Sequence, residues 1–186
     1  TTPKIITKEN HTITAKKIVF CTGFETVNLL KEKVAELIYT YATVSEPTQT
    51  YNKNLENILI WNTQDPYLYM RTTDDGRFLV GGEDSEYKDT ILQQNIKEEI
   101  SKTLVKKLER TIPKLHFIED ISWGGVFGTT KDGLPYIGKS PEYKNCLFCL
   151  GFGGNGITFS TQGRKIILEL LEGKENPLSY YYRFGR

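Results

Sequence analysis

The spacing of apolar residues along the chain predicts where its strands and helices lie. Cys146 to Leu150 is a short, continuous apolar run, as expected of a buried strand. A glycine cluster follows it, and apolar residues then return at helical spacing. The members of that helical set are Ile157, Ile166, Ile167, Leu170 and Leu171. This stretch therefore predicts a strand, a tight turn and a helix.

Four glycines remove the side chains from this turn, namely Gly151, Gly153, Gly154 and Gly156. The first N–H groups of a helix have no partner within the helix, so a ligand can lie directly against the bare backbone there. The positive end of the helix dipole favours an anion or an electron-rich heterocycle at this position. The turn is therefore a candidate binding site.

Three of these glycines also fit the G-x-G-x-x-G spacing of a dinucleotide-binding turn, but the chain around them does not. That motif needs a second parallel strand after the helix, with an acidic residue about 20 positions on that holds the ribose. Here Glu169 and Glu172 still belong to the helix or its end, and only Gly173 to Arg186 follow. An NAD-dependent dehydrogenase is therefore disfavoured.

Near the start of the chain, Ile18 to Cys21 is apolar on both faces, which is typical of the central strand of a covered sheet. This run stops at Thr22 and Gly23, where a small residue and a glycine let a cofactor approach the backbone. A glycine that only ends the strand explains the pair equally well. Val27 to Ile38 has mixed helical spacing and predicts a helix or a crossing connection.

In the middle of the chain, short aromatic and β-branched runs separated by turn residues predict an antiparallel meander. The runs are Tyr41–Gln49, Asn57–Trp61, Tyr67–Thr72 and Phe78–Gly82, with a hairpin turn at Thr73–Gly76. In the third run, Tyr67, Tyr69 and Arg71 share one face, and Leu68 and Met70 share the other. One face is thus apolar, and the opposite face carries two phenols and a guanidinium.

Thr90 to Pro113 has the clearest helical pattern, because apolar residues recur every fourth position: Leu92, Ile96, Ile100, Leu104 and Leu108. Thr90 and Gln93 have the spacing of a capping box, and Pro113 ends the helix. We interpret its charged face as solvated surface and assign no chemistry to it.

The charge of the chain excludes several function classes. Its 24 basic and 23 acidic residues nearly cancel, so no long-range field favours nucleic acid or an anionic membrane. No apolar run approaches the roughly 20 residues needed to cross a bilayer, and the first residues do not resemble a signal peptide. We expect a soluble, cytoplasmic protein.

The cysteines and histidines do not predict a metal site. Cys21, Cys146 and Cys149 lie in apolar runs, and we expect them to be buried structural thiols. Cys146 and Cys149 are three apart on a strand, so they point to opposite faces and cannot share a metal ion. His11 and His116 each lack a second ligand at suitable spacing.

Several motifs together resemble one family. Cys21–Thr26, CTGFET, resembles the ATG-type strand end of flavoproteins. Trp123–Gly138 resembles the T-x-D-G-x-P-x-I-G loop, and Gly151–Thr158 the late glycine loop, of FAD-dependent oxidoreductases such as D-amino-acid oxidase, glycine oxidase and sarcosine oxidase. The strand pair Tyr67–Gly82 is similar to the substrate-domain hairpin of the same family. Their order and spacing cover the whole chain.

The resemblance implies an α+β fold, in which an antiparallel-sheet substrate domain with a flanking helix is inserted into the C-terminal part of a Rossmann-like FAD-binding domain. The expected bounds are 1–38 and 138–186 for the partial FAD-binding domain and 39–137 for the substrate domain. The N-terminal G-x-G-x-x-G of the family has no counterpart in this chain. We therefore expect a fragment whose partner is the missing N-terminal half, and whether it holds FAD alone stays open.

The resemblance also implies which residues bind the cofactor: Thr22, Gly23, Gly125, Gly153, Gly154, Asn155, Gly156, Ile157 and Thr158. The amides from Asn155 to Thr158 would lie near the C2 carbonyl of the flavin, where a positive dipole end favours the reduced, anionic ring. Sarcosine oxidases carry a lysine where this chain has Thr158, and a flavin-linking cysteine near Gly125. Because this chain has neither, the resemblance implies non-covalent FAD and a glycine-oxidase-like or amine-oxidising relative.

The leading hypothesis is oxidation of the C–N bond of a small amine or amino acid by hydride transfer to FAD. The resulting imine hydrolyses, and oxygen or another acceptor reoxidises the cofactor. Arg71 is a candidate clamp for a substrate carboxylate, with Tyr69 beside it, although an ordinary surface arginine is the alternative. Asp132 is expected to cap its turn and not to act as a base. The rival hypothesis is a truncated module without cofactor that has a structural or interaction role.

Overall fold

The computed structural model describes residues 2–48, 53–113 and 115–186. The strands are β1 Lys4–Ile6, β2 Thr12–Thr14, β3 Ile18–Phe20, β4 Glu36–Ser45, β5 Leu59–Trp61, β6 Leu68–Thr72, β7 Phe78–Glu86, β8 Glu119–Thr129, β9 Tyr136–Lys139 and β10 Cys146–Leu150. The α-helices are α1 Thr90–Asn95, α2 Lys97–Thr111 and α3 Gly156–Leu171, and 3₁₀ helices span Gly23–Leu29, Lys53–Leu55 and Pro177–Tyr180. Gln49, the end of the first predicted meander strand, lies outside the described residues.

The chain divides into two compact units. The first unit contains residues 1–37 and 127–186, and the second contains residues 38–126. The predicted boundaries were 38/39 and 137/138. The assignment of these units to cofactor and substrate binding stays a prediction.

A three-stranded sheet in the order β3-β10-β9 forms the centre of the first unit, with β10 parallel to β3 and antiparallel to β9. Every residue of β10 is buried. One face of β10 contacts Tyr136 and Phe184, and the other packs against Ile166 and Ile167 of α3. Both faces of the sheet are therefore covered, and the predicted strand, turn and helix at 146–171 are confirmed.

Cys146 and Cys149 belong to the two different faces of β10, as their spacing predicts. Both thiols are buried, and burial is the main cause that raises the pKa of Cys149 to about 12. The expectation of a buried thiol is wrong for Cys21, which is exposed because β3 ends one residue before it.

One other prediction for the first unit needs correction. Ile18–Cys21 was expected to form a central strand, but β3 is half-buried and lies at the edge of its sheet among the described strands. Of the two alternatives for Val27–Ile38, a helix or a crossing connection, the chain forms a connection: a 3₁₀ helix spans Gly23–Leu29, and β4 begins at Glu36. Val27, Leu30 and Val34 still pack on the sheet, which explains their spacing without an α-helix.

The second unit is built on a five-stranded sheet in the order β5-β6-β7-β4-β8. Strands β5, β6 and β7 form an antiparallel meander, as predicted. The first predicted strand of that meander, β4, pairs with β7 and not with β5, so its place in the predicted order is wrong. The hairpin turn is confirmed, because the amide of Gly76 donates to the carbonyl of Thr73 at 3.0 Å and Gly76 has a φ of 77°. Leu104 and Leu108 of α2 are fully buried and share one core with Leu68, Met70 and other apolar side chains of the sheet.

The predicted helix at 90–113 is interrupted, and its predicted cap is wrong. The helix divides at Ile96 into α1 and α2, and Leu92 is 60% exposed. Asp89 occupies the N-cap, and its Oδ1 accepts hydrogen bonds from the amides of Ile91 and Leu92. A carboxylate is among the best acceptors at this position, so it takes the place of the Thr90 capping box. The Gln93 side chain donates instead to Ser85 and to the carbonyl of Glu86.

Candidate functional site

The structure brings the glycine turn and the Thr22-Gly23 pair to one edge of the sheet in the first unit. Because β3 and β10 are parallel, with Phe20 opposite Phe148, the segments that follow them leave from the same edge. In α/β sheets this carboxyl edge is where ligands bind. The amide of Gly153 also donates to the carbonyl of Gly128 at 3.0 Å, which adds the end of β8 to the same place.

The tip of α3, defined as residues 153–158, is open. A side chain added at Gly153, Gly154 or Gly156 would meet no atom within 4 Å. The Asn155 side chain makes no capping hydrogen bond, and no described residue accepts from the amides of residues 156–158. Ile157 is 88% exposed, so this member of the predicted apolar set is not a core residue. The tip of α3 thus exposes free amides, uncovered backbone and one apolar side chain on the same surface.

Gly151, at the start of the turn, has a different role from the glycines at the tip. Its φ is 76°, and an added Cβ would lie 2.8 Å from Cγ2 of Thr130. A larger residue here would have to displace the neighbouring turn, so Gly151 allows close packing. The glycines that follow it keep the tip of α3 accessible.

Thr22 and Gly23 form the second predicted contact point. The Thr22 hydroxyl forms a short hydrogen bond with the hydroxyl of Thr26, which links the residue before the 3₁₀ helix to a residue within it. Gly23 has a φ of 66°, and no atom lies within 4 Å of an added Cβ. Gly125 in β8 is equally uncovered, but it belongs to the second unit.

Asp132 caps its turn, as predicted. Its Oδ1 accepts from the amide of Leu134 at 3.1 Å, and its Oδ2 accepts from Nε of Arg186 at 2.7 Å. These contacts, with that of Arg186 the strongest, hold the pKa of Asp132 well below its usual range. An ionised carboxylate held in this way is a structural group and a poor base.

Two cavities of the first unit do not coincide with the predicted cofactor residues. One of about 210 Å³ is lined by Lys33–Glu36, Thr129–Lys131 and Tyr136. Another of about 380 Å³ is lined by residues that include Gly138, Asn176 and Arg183. The tip of α3 is therefore an exposed surface of this chain and not the wall of either cavity.

Within the described ranges, neither a metal-binding cluster nor a membrane-spanning helix is found. No group of three or more His, Cys, Asp or Glu side chains is placed to hold a metal ion. None of the described helices is long and apolar enough to span a bilayer.

In the second unit, β6 presents the predicted aromatic face. The rings of Tyr67 and Tyr69 are stacked with centroids 6.1 Å apart. Tyr69 lies opposite Gly81 of β7, and the missing side chain of Gly81 makes room for its ring. Arg71 is exposed, and its Nε donates to the carbonyl of Thr72 at 3.2 Å.

Asp84 joins this aromatic face, and sequence reasoning missed it. Simple alternation from Phe78 and Val80 would place residue 84 on the face covered by α2. The register between β7 and β4 shifts after Gly82, however, and Glu83 has a φ of 54°. Such a bulge redirects the side chains that follow it. The sequence signal for this bulge was the pair Gly81 and Gly82, because glycine inside a strand often marks a bulge.

Asp84 affects the ionisation of the two tyrosines of this face. Burial, the negative charge of Asp84 and a hydrogen bond to its carboxylate raise the pKa of Tyr67 above its usual range. Burial and the same charge raise the pKa of Tyr69. Oδ1 of Asp84 is buried, and no described residue donates a hydrogen bond to it. Lys107 of α2 forms its ion pair with the neighbouring carboxylate of Glu83 and not with Asp84.

Comparison with known proteins places these features in a family. Residues 2–169 match the model of the DAO family, described as FAD dependent oxidoreductase. The chain is 26% identical over 180 residues to gamma-glutamylputrescine oxidoreductase of Escherichia coli K12, covering 93% of this chain and 40% of that protein. It is 32% identical over 83 residues to glycine oxidase of Bacillus subtilis, covering 44% of this chain and 22% of that protein.

The fold agrees with solved structures of the family. The crystal structure of glycine oxidase from Geobacillus kaustophilus superposes with a TM-score of 0.63 at 20% identity, over 98% of this chain and 49% of that one. The chain thus spans about half the length of such relatives, or less. The match over residues 2–169 shows that this chain belongs to the DAO family of FAD dependent oxidoreductases.

Proposed function

We propose that this chain is part of a flavoenzyme that oxidises the C–N bond of an amine or amino acid to an imine. The open tip of α3 carries the proposal, because the family binds FAD and this tip offers free amides at the carboxyl edge of the sheet. When bound, FAD supplies the ring that accepts a hydride from the carbon next to nitrogen. The family match and the names of the relatives, an oxidoreductase of gamma-glutamylputrescine and glycine oxidases, support the substrate class.

The residues of the first unit fit the cofactor in two ways. The amides of Gly156, Ile157 and Thr158 are free to donate, and the positive end of the α3 dipole stabilises negative charge on whatever they contact. The uncovered backbone of Gly23 and of the tip lets a flat ring approach. The proposed cofactor contacts of this unit are therefore Thr22, Gly23, Gly153, Gly154, Asn155, Gly156, Ile157 and Thr158, whereas Gly125 of the second unit stays a prediction.

A Thr158→Glu substitution tests the role of the tip. A carboxylate in the first turn of a helix stabilises the helix, so the ligand-free chain is expected to gain about 0.3–1 kcal/mol of unfolding free energy. The same charge repels the electron-rich edge of a flavin. We expect FAD affinity, measured by fluorescence titration, to fall by about fivefold, which corresponds to about 1 kcal/mol.

Thr161→Glu is the matched control, since it adds the same charge one turn further along α3, where the dipole effect has decayed. Its FAD affinity is expected to equal that of the wild type. If Thr158→Glu bound FAD as tightly as Thr161→Glu, the tip would not contact the cofactor. A wild-type chain that stays colourless after FAD is added would favour the alternative, a module without cofactor.

Arg71 and Tyr69 are the proposed substrate-orienting residues. The exposed guanidinium of Arg71 has donors left for a bidentate pair with a substrate carboxylate. In the flavoenzyme that contains this chain, Arg71→Ala is expected to raise KM for glycine by about tenfold or more, because a charge-assisted pair is lost. KM for butylamine, which has no carboxylate, is expected to stay unchanged. An unchanged KM for glycine would identify Arg71 as an ordinary surface arginine.

A further inference from the structure

Two of the three cysteines are neighbours at the carboxyl edge of the sheet in the first unit. Strands β3 and β10 are parallel, and their last pair in register is Phe20 with Phe148. The rings of these two residues are stacked with centroids 4.7 Å apart, so the strands are still in close contact there. Cys21 follows directly in one strand direction and Cys149 in the other strand. The register therefore brings these two cysteines next to each other.

The two cysteines also share a face of the sheet. The side chains of β3 alternate between two cores, since Phe20 packs in one and Val19 in the other. This alternation directs the next residue, Cys21, to the side of Val19. Cys149 is a member of that same core, which lies against α3. The negative charge of Cys21 is, after burial, a cause that raises the pKa of Cys149, as expected for neighbouring thiols.

The spacing of the strands suits a disulfide. Neighbouring strands of a sheet are about 4.8 Å apart, and the Cα atoms of a disulfide are about 4.4–6.8 Å apart. Because β3 ends at Phe20, the backbone at Cys21 can adjust more freely than that of a residue within the strand. Cys146 cannot replace either partner, because it belongs to the core on the opposite face of β10.

The two thiols differ in their access to an oxidant. Cys21 is exposed, whereas Cys149 is only 7% exposed. Burial also keeps the thiol of Cys149 protonated, since it raises the pKa of this group to about 12. Oxidants react with exposed thiolates, so Cys21 is the residue that an oxidant reaches first. Cys149 is then the neighbouring thiol that can react with the product.

We propose that Cys21 and Cys149 are a modification site, at which a peroxide converts the two thiols into a reversible disulfide. With hydrogen peroxide, the Cys21 thiolate attacks one oxygen, which gives a sulfenic acid and releases hydroxide. The hydroxide takes up the proton that Cys21 lost. The Cys149 sulfur then attacks the sulfenic sulfur, so that the S–S bond forms and water leaves. Two thiols are oxidised by two electrons, and one hydrogen peroxide becomes two water molecules.

This thiol pair lies directly beside the proposed cofactor contacts. Cys21 precedes Thr22 and Gly23, and Cys149 lies two residues before Gly151, where the glycine turn begins. A disulfide would therefore join the segment after β3 to the segment after β10. The inference rests on the proposed function only for a source of the oxidant, because oxygen that reoxidises the cofactor leaves as hydrogen peroxide.

The test uses this chain, fully reduced and then treated with an equimolar amount of hydrogen peroxide in the absence of FAD. The number of free thiols is expected to fall from three to one. The mass should fall by about 2 Da, because two hydrogen atoms are lost. Peptide mapping should find Cys21 linked to Cys149, and dithiothreitol should restore all three thiols. Dimers linked through Cys21, or a sulfinic acid on Cys21 without a disulfide, would overturn the proposal.

Two variants identify the thiols that react. Cys146→Ala is the matched control, because it removes the buried thiol on the other face of the same strand, and it is expected to form the disulfide as the wild type does. Cys21→Ser changes an exposed residue, so the fold is expected to persist. Its loss of thiols should be slower by at least about tenfold, because the remaining two are buried. Equal rates in Cys21→Ser and the wild type would contradict the assignment.

The unfolded chain shows whether the fold selects the pair. In denaturant, loop closure favours the two thiols that are nearest in sequence, Cys146 and Cys149. The same treatment is therefore expected to link Cys146 to Cys149 in the unfolded chain and Cys21 to Cys149 in the folded chain. A link between Cys21 and Cys149 that is no more abundant in the folded chain would show that the structure does not favour it, and the proposal would be wrong.

The result does not depend on the flavoenzyme proposal, because the peroxide is added and FAD is absent. A chain that forms the disulfide between Cys21 and Cys149 but does not bind FAD supports the thiol pair and removes the flavoenzyme proposal. A chain that binds FAD but keeps all three thiols after treatment with peroxide overturns the thiol pair and leaves the proposed function intact.

Discussion

Gly82→Ala is expected to lower the free energy of unfolding by about 3–5 kcal/mol, the largest effect of any substitution considered. Gly82 has a φ of 139°, and a Cβ there would come closer than 3.0 Å to the carbonyl oxygen of Tyr67. The opposing atom belongs to the backbone of the paired strand, so no rotamer change relieves the collision. Strained backbone and overpacking each cost about 1–3 kcal/mol. Denaturant unfolding of the isolated chain measures the loss.

Gly81→Ala is the matched comparison, because its Cβ would also come closer than 3.0 Å to other atoms, but all of them belong to the side chain of Tyr69, namely two ring carbons and the phenol oxygen. The ring can turn away, so a loss of about 1 kcal/mol is expected, at the low end of overpacking costs. The displaced ring becomes less buried, and the raised pKa of Tyr69 should therefore fall. Equal losses of stability in the two variants would show that the backbone at Gly82 is not tightly constrained.

The elements that could be predicted from the sequence are those in which local chemistry and tertiary packing agree. The continuous apolar run at 146–150 is buried on both faces of a strand, and the glycines after it end that strand and begin α3. The alternation in β6 places Leu68 and Met70 in the core and Tyr69 on the opposite face. In both segments the pattern specifies one structure only.

The incorrect predictions lie where the tertiary structure overrides a local pattern. Apolar residues every four positions continue through Ile96, yet only the second half of that stripe is well buried, and the helix divides there. In 27–38, where the spacing allowed either a helix or a connection, Val27, Leu30 and Val34 pack on the sheet from a 3₁₀ helix and an extended connection. Helical spacing reports which residues reach a core, and it does not exclude other backbone paths to the same core.

Asp84 shows why part of the candidate site could not be predicted. Strand periodicity assigns every second residue to one face, and one inserted residue reverses that assignment for everything after it. The glycines at 81–82 indicate that a bulge is possible, but the position of the extra residue depends on pairing with β4. The face of Asp84 therefore follows from register, a property that a single strand sequence does not contain.

Gly163→Ala is expected to have the second largest effect, a net loss of about 2 kcal/mol of unfolding free energy. In an unconstrained helix this change would gain about 1 kcal/mol, because alanine has the higher helix propensity. In α3, however, the new Cβ would come closer than 3.0 Å to Sγ of Cys149 and lie 3.5 Å from Cδ1 of Ile137. Both neighbours are buried in a sheet that is covered on its two faces, so the helix must move away.

A double-mutant cycle separates this collision from other causes. Cys149→Ala alone should cost about 1–2 kcal/mol through the cavity it leaves. In the double variant with Gly163→Ala, the sulfur that collides with the new Cβ is absent. Its loss of unfolding free energy should therefore be smaller than the sum of the two single losses by at least about 1 kcal/mol. Additive losses would exclude the collision. Because the open tip is the N-terminal end of the same helix, about two turns before Gly163, Gly163→Ala should also weaken FAD binding without touching the cofactor, and Cys149→Ala should restore it.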